Sequence, residues 1–242
     1  MPKPRSFALL QNHMILAIET SGIFPSVGIV DLQGNELYFK QVREKQTHAE
    51  QLGVLVSEAL NFLNVNLPQS KLLAIAINEG PGSYTGLRIG SSLAKGLCYS
   101  MQLPLIAVKG MTGKGLALLE NHKRLNGVWV MLDARRDEVY ATFVDRDLDK
   151  QPMVHAAVLP FDFNGDIADK SIGFVGDCIP KVVQLLALPS DVLVFEEFSS
   201  ARDLYALSVR DFTELNFKDV AYFEPFYLKE FEAGKSKKFI VN

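Results

Sequence analysis

Residues 78–96 read Asn78-Glu-Gly-Pro-Gly-Ser-Tyr-Thr-Gly-Leu-Arg-Ile-Gly-Ser-Ser-Leu-Ala-Lys-Gly96, a glycine-rich turn that follows the apolar run Leu72 to Ile77 and opens a helix. Gly80 and Gly82 are read as positions where the backbone turns with positive φ and approaches a ligand closely. Ser83 is placed to cap the helix, whose first N–H groups and positive dipole end face outward, so the loop has the shape of an anion cradle. The same composition also suits a tight turn that lets a helix pack on a sheet. The spacing matches neither a P-loop nor a dinucleotide fingerprint. Gly86 and Gly90 lie four apart on one helix face, where close packing is expected.

Outward from this stretch, Ile15 to Ile18 and Ser26 to Val30 read as buried strands joined by the turn Glu19-Thr20-Ser21-Gly22. Asp31 to Asn35 has hairpin composition, and Glu36 to Gln41 returns as a third, antiparallel strand. From Ala49 to Asn64 the period becomes helical, with Leu52, Leu55, Val56, Ala59, Leu60 and Leu63 on one face. The strand Leu72 to Ile77, a helix from about Ser83 to Met101 and the buried strand Leu105 to Val108 complete β-β-β-α-β-α-β. The second half repeats this with strands at Val128 to Leu132, Val139 to Val144, Met153 to Leu159, Ile172 to Val175 and Val192 to Phe195. Helices are read at Pro180 to Leu186 and Ala201 to Leu215. The pattern predicts an α/β protein of two related lobes with a boundary near Val108 to Gly115.

Composition agrees with an ordinary globular chain, for 242 residues with 48% apolar and 22% charged content can bury a sizeable core. A net charge of −3 gives no general reason to expect a nucleic-acid-binding surface. Cys98 and Cys178 sit in apolar surroundings with no Cys-x-x-Cys, which points to buried thiols in a reducing cytosol. Met1 to His13 holds no signal-peptide or membrane-spanning pattern and is read as an extension outside the fold.

Several stretches together resemble the bacterial TsaB family. They are Met14-Ile-Leu-Ala-Ile-Glu-Thr-Ser21, His48-Ala-Glu-Gln-Leu52, the Gly80 to Gly90 loop with Ala94-Lys95-Gly96, Leu132-Asp-Ala-Arg135 with Glu138-Val-Tyr140, and Pro225-Phe-Tyr-Leu-Lys229. The resemblance runs from Met14 to about Lys229. It implies two related lobes of the actin-like, ribonuclease-H-like ATPase fold, each a mixed sheet with flanking helices, at 14–110 and 111–230; the residues themselves read as a basic tail at 231–242. It also implies a cytoplasmic, non-catalytic subunit in threonylcarbamoyladenosine (t6A) formation next to the anticodon, at A37 of ANN-decoding tRNAs. The implied partners are a TsaD-type catalytic subunit and a TsaE-type ATPase, a homodimer when alone, and tRNA through the complex, with no membrane and no DNA. The catalytic paralogue TsaD carries a metal-binding His-x-x-x-His pair; counted without a gap from the glycine loop, those positions here are Gly110 and Lys114. Neither is an imidazole, and an ammonium repels a cation, so no catalytic residue and no metal are expected. No tightly held cofactor is expected either, with ATP or ADP entering at the level of the complex.

Candidate residues keep two readings each. Glu19, with Thr20, matches the first-strand acid that holds a metal-phosphate group in kinases of the superfamily, or it caps a turn. With Gly80, Gly82 and Ser83 they form the candidate anion or nucleotide site. His48 is a cap-region residue or a base. Asp133, Arg135 and Arg136 form a salt-bridged turn or a partner or nucleotide contact, and Lys235 to Lys238 a solvated tail or a tRNA or partner contact. Val54, Glu58, Phe62, Val65, Gly86, Gly90 and Leu93 are read as a partner interface, because apolar side chains on a solvent face and small residues in a helical row suit helix-on-helix packing; the alternative for the two glycines is that they pack against this chain's own sheet. Two other classes remain open: a self-sufficient nucleotide-binding kinase, ATPase or protease-like enzyme of the superfamily, and a nucleotide sensor. No Ser-His-Asp or Cys-His set supports the enzyme.

Overall fold

Met14 to Ile18 is apolar at every position, a pattern that only a strand covered on both faces requires, and all five residues are buried. This strand, β1 (His13–Glu19), lies at the centre of a five-stranded sheet. In the computed structural model, which describes residues 12–44, 47–146, 153–160 and 171–229, β1 pairs antiparallel with β2 (Ser26–Asp31) and parallel with β4 (Lys71–Asn78). With β3 (Glu36–Gln41) and β5 (Leu105–Val108) the order is β3-β2-β1-β4-β5. The helices α1 (His48–Asn66) and α2 (Tyr84–Met101) cover one face, setting Leu52, Leu55, Ala59, Ala94 and Cys98 on Leu16, Ile18, Val27 and Ile75.

The helix α3 (Gly110–Asn121) leads to a second sheet of β6 (Gly127–Asp133), β7 (Glu138–Asp145), β8 (His155–Val158), β9 (Ile172–Gly176) and β10 (Leu193–Glu196). Its order, β10-β9-β6-β7-β8, repeats the first sheet strand for strand: the first strand is central, two antiparallel strands lie on one side and two parallel strands on the other. The two-lobe expectation is met by this shared topology. On one face of the second sheet α4 (Ile179–Leu186) packs Ile179 and Val182 on Met131 and Phe174. On the other, Met111, Leu118 and Leu119 of α3 meet Val128, Val130 and Val144.

The sequence-based lobe boundary needs a correction at the C-terminus, because the chain does not finish in the second lobe. A 3-10 turn (Ala201–Leu204) and helix α5 (Tyr205–Thr213) cross back and lay Ala201, Leu204, Tyr205 and Leu207 on the free face of the first sheet, against Ile15, Ala17, Ala76 and Ile106. Gly28 makes room for this return: a Cβ there would sit 1.9 Å from the Tyr205 hydroxyl. Residues 217–229 then strap the first lobe, with Lys218 bridging Leu105 and Phe226 N–H donating to the Glu79 carbonyl. Lys229 ends the described chain in an ion pair with Glu138 of the second lobe. α3 and α5 thus form the layer between the sheets. The extension read at 1–13 lies outside the described residues up to Gln11, while His13 already belongs to β1. The tail from Glu230 onward, Lys235 to Lys238 included, also lies outside them.

Candidate functional site: a buried joint beneath the glycine loop

The point where β1, β4, the glycine loop and α3 converge is organised by Asn78, at the end of β4 and 3% exposed. Its amide nitrogen donates to Glu19 Oε2 at 2.6 Å and to Ser21 Oγ at 2.9 Å. Its amide oxygen accepts from Gly80 N–H at 2.9 Å and Gly110 N–H at 3.3 Å. A side-chain amide with two donors and two acceptor lone pairs is saturated by these four bonds. Gly110 follows from this clamp, since a Cβ there would lie 2.2 Å from Asn78 Nδ2.

Glu19, fully buried, also accepts from Ser21 N–H at 2.5 Å. Burial pushes its carboxyl up to about 7, against the opposing pull of its hydrogen bonds to Ser21 and Asn78. A carboxyl so enclosed and so fully bonded inside the chain acts as a turn clamp, the second of its two sequence readings. Thr20 beside it is 1% exposed and its hydroxyl oxygen has no hydrogen-bond partner among the described residues.

The glycine loop likewise turns inward. Gly80 N–H goes to Asn78, Ser83 N–H to the Ser21 carbonyl at 2.7 Å, and Ser83 Oγ caps α2 by accepting from Gly86 N–H at 3.2 Å. Three of the donors that an anion cradle would offer are thereby engaged within the chain, which favours the reading of a packing joint. Gly80 has the expected positive φ of +108°, whereas Gly82 does not and is a glycine for another reason: a Cβ there would lie 2.5 Å from Ser21 Cβ. Gly86 and Gly90 are corrected too. Both are buried, with built Cβ atoms 2.0 Å from the Thr20 carbonyl oxygen and 2.2 Å from Thr20 Oγ1, so their face seats α2 on this chain's own β1–β2 turn and offers nothing to a partner.

Next to the joint, Lys114 of α3 is 3% exposed. Its ammonium lies 3.2 Å from Asp203 Oδ2 and 3.6 Å from Glu197 Oε2, and donates to the Phe198 carbonyl at 3.1 Å. Burial raises the Asp203 carboxyl, an effect opposed by Lys114 and by the Ser200 N–H. The two positions at which the resemblance would place an imidazole pair, Gly110 and Lys114, hold a glycine pressed on Asn78 and an ammonium already paired with a carboxylate. These residues do not fit a metal. Among the described residues no group of three or more His, Cys, Asp or Glu side chains is arranged to hold one.

The remaining interface candidates divide. Val54 and Val65 of α1 are 50% and 67% exposed and lie on one stripe with Glu58, which pairs with Lys40 at 2.6 Å. Phe62 packs on Tyr38, ring centroids 5.2 Å apart, and Leu93 packs into the first-lobe core. On α2 the structure adds Tyr99, 86% exposed, beside Gly96, where a Cβ would meet nothing. Lys95, Gly96 and Tyr99 line a groove of about 620 Å³ with Asp219, Val220 and Ala221. Sequence periodicity had no signal for this groove, because its other wall is the returning C-terminal strap.

His48 opens α1 with Nε2 3.1 Å from the Gly22 carbonyl oxygen, and burial lowers its pKa. Burial likewise pushes the thiols of Cys98 and Cys178 up to about 11 and about 12. At the β6–β7 turn the Asp133 carboxylate is held by Lys181 at 2.5 Å, from 48 residues away. No helix among the described residues is long and apolar enough to cross a membrane.

The architecture is that of a duplicated α/β protein whose two five-stranded sheets share one topology and meet across a buried joint. It is shared by two Pseudomonas aeruginosa structures: one described as similar to peptidase YeaZ (TM-score 0.71, 24% identity, covering 90% of this chain and all of that one) and one named YeaZ (TM-score 0.68, 23% identity, 88% of this chain and all of that one). The sequence matches the family described as TsaD, tRNA N6-adenosine threonylcarbamoyltransferase, over residues 43–153. It is 33% identical over 138 residues to the tRNA threonylcarbamoyladenosine biosynthesis protein TsaB of Haemophilus influenzae, covering 57% of this chain and 56% of that protein. To TsaB of Bacillus subtilis it is 34% identical over 128 residues, covering 52% of each. The matches thus span about half the length of these curated relatives, and in sequence and fold the chain is TsaB/YeaZ-like.

Proposed function

We propose that this chain is a non-catalytic, cytoplasmic subunit that positions and activates a TsaD-type enzyme transferring a threonylcarbamoyl group to A37 of ANN-decoding tRNAs, with a TsaE-type ATPase as a further partner. The observation that carries the reading is the Lys114 ammonium, buried against Asp203 at 3.2 Å at a position where the catalytic paralogue would hold its metal. The glycine loop supports it, for three of its N–H groups are bonded within the chain and so are not offered to the charge that develops on a transferring group. Similarity to a TsaB protein over about half the chain supports placing it in threonylcarbamoyladenosine formation.

The exposed stripe of α1 is the partner face in this reading. Val54 and Val65 are half or more exposed, and burying such side chains against a partner recovers about 25 cal/mol per Å². Val54→Arg with Val65→Arg is expected to leave thermal stability unchanged, since neither side chain contributes to the core, while lowering affinity for the TsaD-type subunit at least tenfold in a co-purification titration. A folded double variant that binds the partner at wild-type affinity places the contact elsewhere.

A further inference from the structure

The described chain crosses between its lobes twice, first through α3 and then through residues 197–201. Lys114 of α3 ties the two crossings together through the Phe198 carbonyl and Asp203. At the second crossing Phe24 of the first lobe packs edge-on against Phe198, ring centroids 4.9 Å apart, and Gln41 Nε2 donates to the Ser199 carbonyl at 3.1 Å. Two chain crossings held side by side have the form of a hinge, and the angle about a hinge is set by contacts made away from it.

Such a contact is made by the strap. Val220 and Phe223 pack into the first-lobe core, and Lys95 Nζ donates to the carbonyls of Ala221 at 3.0 Å and Phe223 at 3.1 Å. At the glycine loop Phe226 N–H donates to the Glu79 carbonyl at 2.6 Å, and the Tyr227 ring lies 4.9 Å from that of Tyr84. The fit is close enough that a Cβ on Gly80 would sit 2.6 Å from the Phe226 carbonyl oxygen. Two residues further on, Lys229 reaches the other lobe, pairing with Glu138 of β7 and standing 5.8 Å over the Tyr140 ring. Glu138 is itself fixed to the second lobe. Lys181 of α4 donates to Asp133 Oδ1 at 2.5 Å and to the carbonyls of Arg136 and Glu138, each at 2.9 Å, bracing the β6–β7 turn from beneath. Each partner of the ion pair is therefore rigid with its own lobe, and the gap between them follows the angle of the hinge. The Lys229 and Glu138 side chains are 30% and 39% exposed, so this pair opens into water without stranding a buried charge, unlike Lys114 with Asp203.

We propose that residues 226–229 are a latch between the lobes: Phe226 and Tyr227 anchor it on the glycine loop, Lys229 closes it on Glu138, and breaking that ion pair lets the lobes open about α3 and residues 197–201. Salt weakens the latch by screening the pair, while the buried crossings hold.

The test needs only the full chain. Spin labels at Ser92→Cys on α2 and Gln184→Cys on α4, two exposed positions on different lobes, report the inter-lobe distance by double electron–electron resonance, since Cys98 and Cys178 are buried. One narrow distance is expected at about 0.1 M salt, and a second, displaced component at about 1 M, where the screening length falls from roughly 10 Å to roughly 3 Å. Lys229→Glu and Glu138→Lys each set like charges face to face and are expected to show the second component already at low salt. In both, the Phe226 amide is expected to exchange its hydrogen up to about fivefold faster, the range that an exposed pair supplies. Lys229→Glu combined with Glu138→Lys restores the attraction and is expected to restore the single distance and the slow exchange, which a general loss of stability would not do. Wild-type distances and exchange in both single variants overturn the proposal. So does a reversed pair that stays as open as the single variants.

Discussion

A Lys114→Ala protein is expected to lose about 3–5 kcal/mol of stability, the usual penalty for stranding one member of a buried ion pair. Lys114 is the cation that enters the inter-lobe layer to meet Asp203, which is 7% exposed, and the carbonyl of Phe198. Truncation leaves the Asp203 carboxylate with the Ser200 N–H at 2.8 Å but without a counter-charge. For a chain of this size the loss corresponds to a fall of roughly 10 °C or more in melting temperature. Lys114→Met combined with Asp203→Asn removes both charges, keeps an acceptor for Ser200 and is expected to recover a large part of that fall. Calorimetric melting of the single and double variants reads both numbers. A single variant within 2 °C of wild type would mean that the pair contributes nothing to the layer between the sheets.

The second large effect is expected from a single methyl group. Gly86→Ala places a Cβ 2.0 Å from the Thr20 carbonyl oxygen, a backbone atom that no rotamer change can move. α2 must lift from the β1–β2 turn, and the cost is expected at or above the upper end of the ~1–3 kcal/mol typical of overpacking. Helix propensity works the other way, by about 1 kcal/mol in favour of alanine. Gly53→Ala on α1 isolates that opposing contribution, because Gly53 is exposed and a Cβ there meets nothing. The two substitutions, identical in chemistry, are therefore expected to shift the melting temperature in opposite directions. Equal shifts would show that the glycine row is not what seats α2 against the joint.

Gly86 also illustrates what a sequence can carry. The four-residue spacing of Gly86 and Gly90 announced close approach correctly, but spacing along a helix does not say which neighbour approaches, and here it is Thr20 of the same chain. Strands β1, β4 and β5 were legible because continuous apolar runs have few other uses. Helix α3 was not, for Gly110, Gly113 and Gly115 weaken helical propensity and read as a lobe boundary. Their reason is tertiary: built Cβ atoms would meet Asn78 Nδ2 at 2.2 Å, the Asp203 carbonyl oxygen at 1.8 Å and Val144 Cβ at 2.7 Å, so only a bare helix fits between the lobes. Asn78 stood at the head of the decisive stretch and was still missed as its organiser, since its four bonds reach residues 2, 32, 57 and 59 positions away. At the β6–β7 turn the sequence did suggest an ion pair, but the partner of Asp133 is Lys181, which a local reading could not supply.

Several residues that read as site candidates in the sequence make packing and hydrogen-bond contacts within the chain. Glu19 clamps a turn, the loop amides bond inward, and Lys114 holds Asp203. Threonylcarbamoyl transfer to an unmodified ANN-decoding tRNA, measured with the purified chain alone, the TsaD-type subunit alone and the two together, tests the scaffold account most directly. The account predicts no transfer by this chain alone, a marked rise in the partner's rate on its addition, and the same rise with a Glu19→Gln chain. Transfer by the isolated chain that disappears with Glu19→Gln would contradict it.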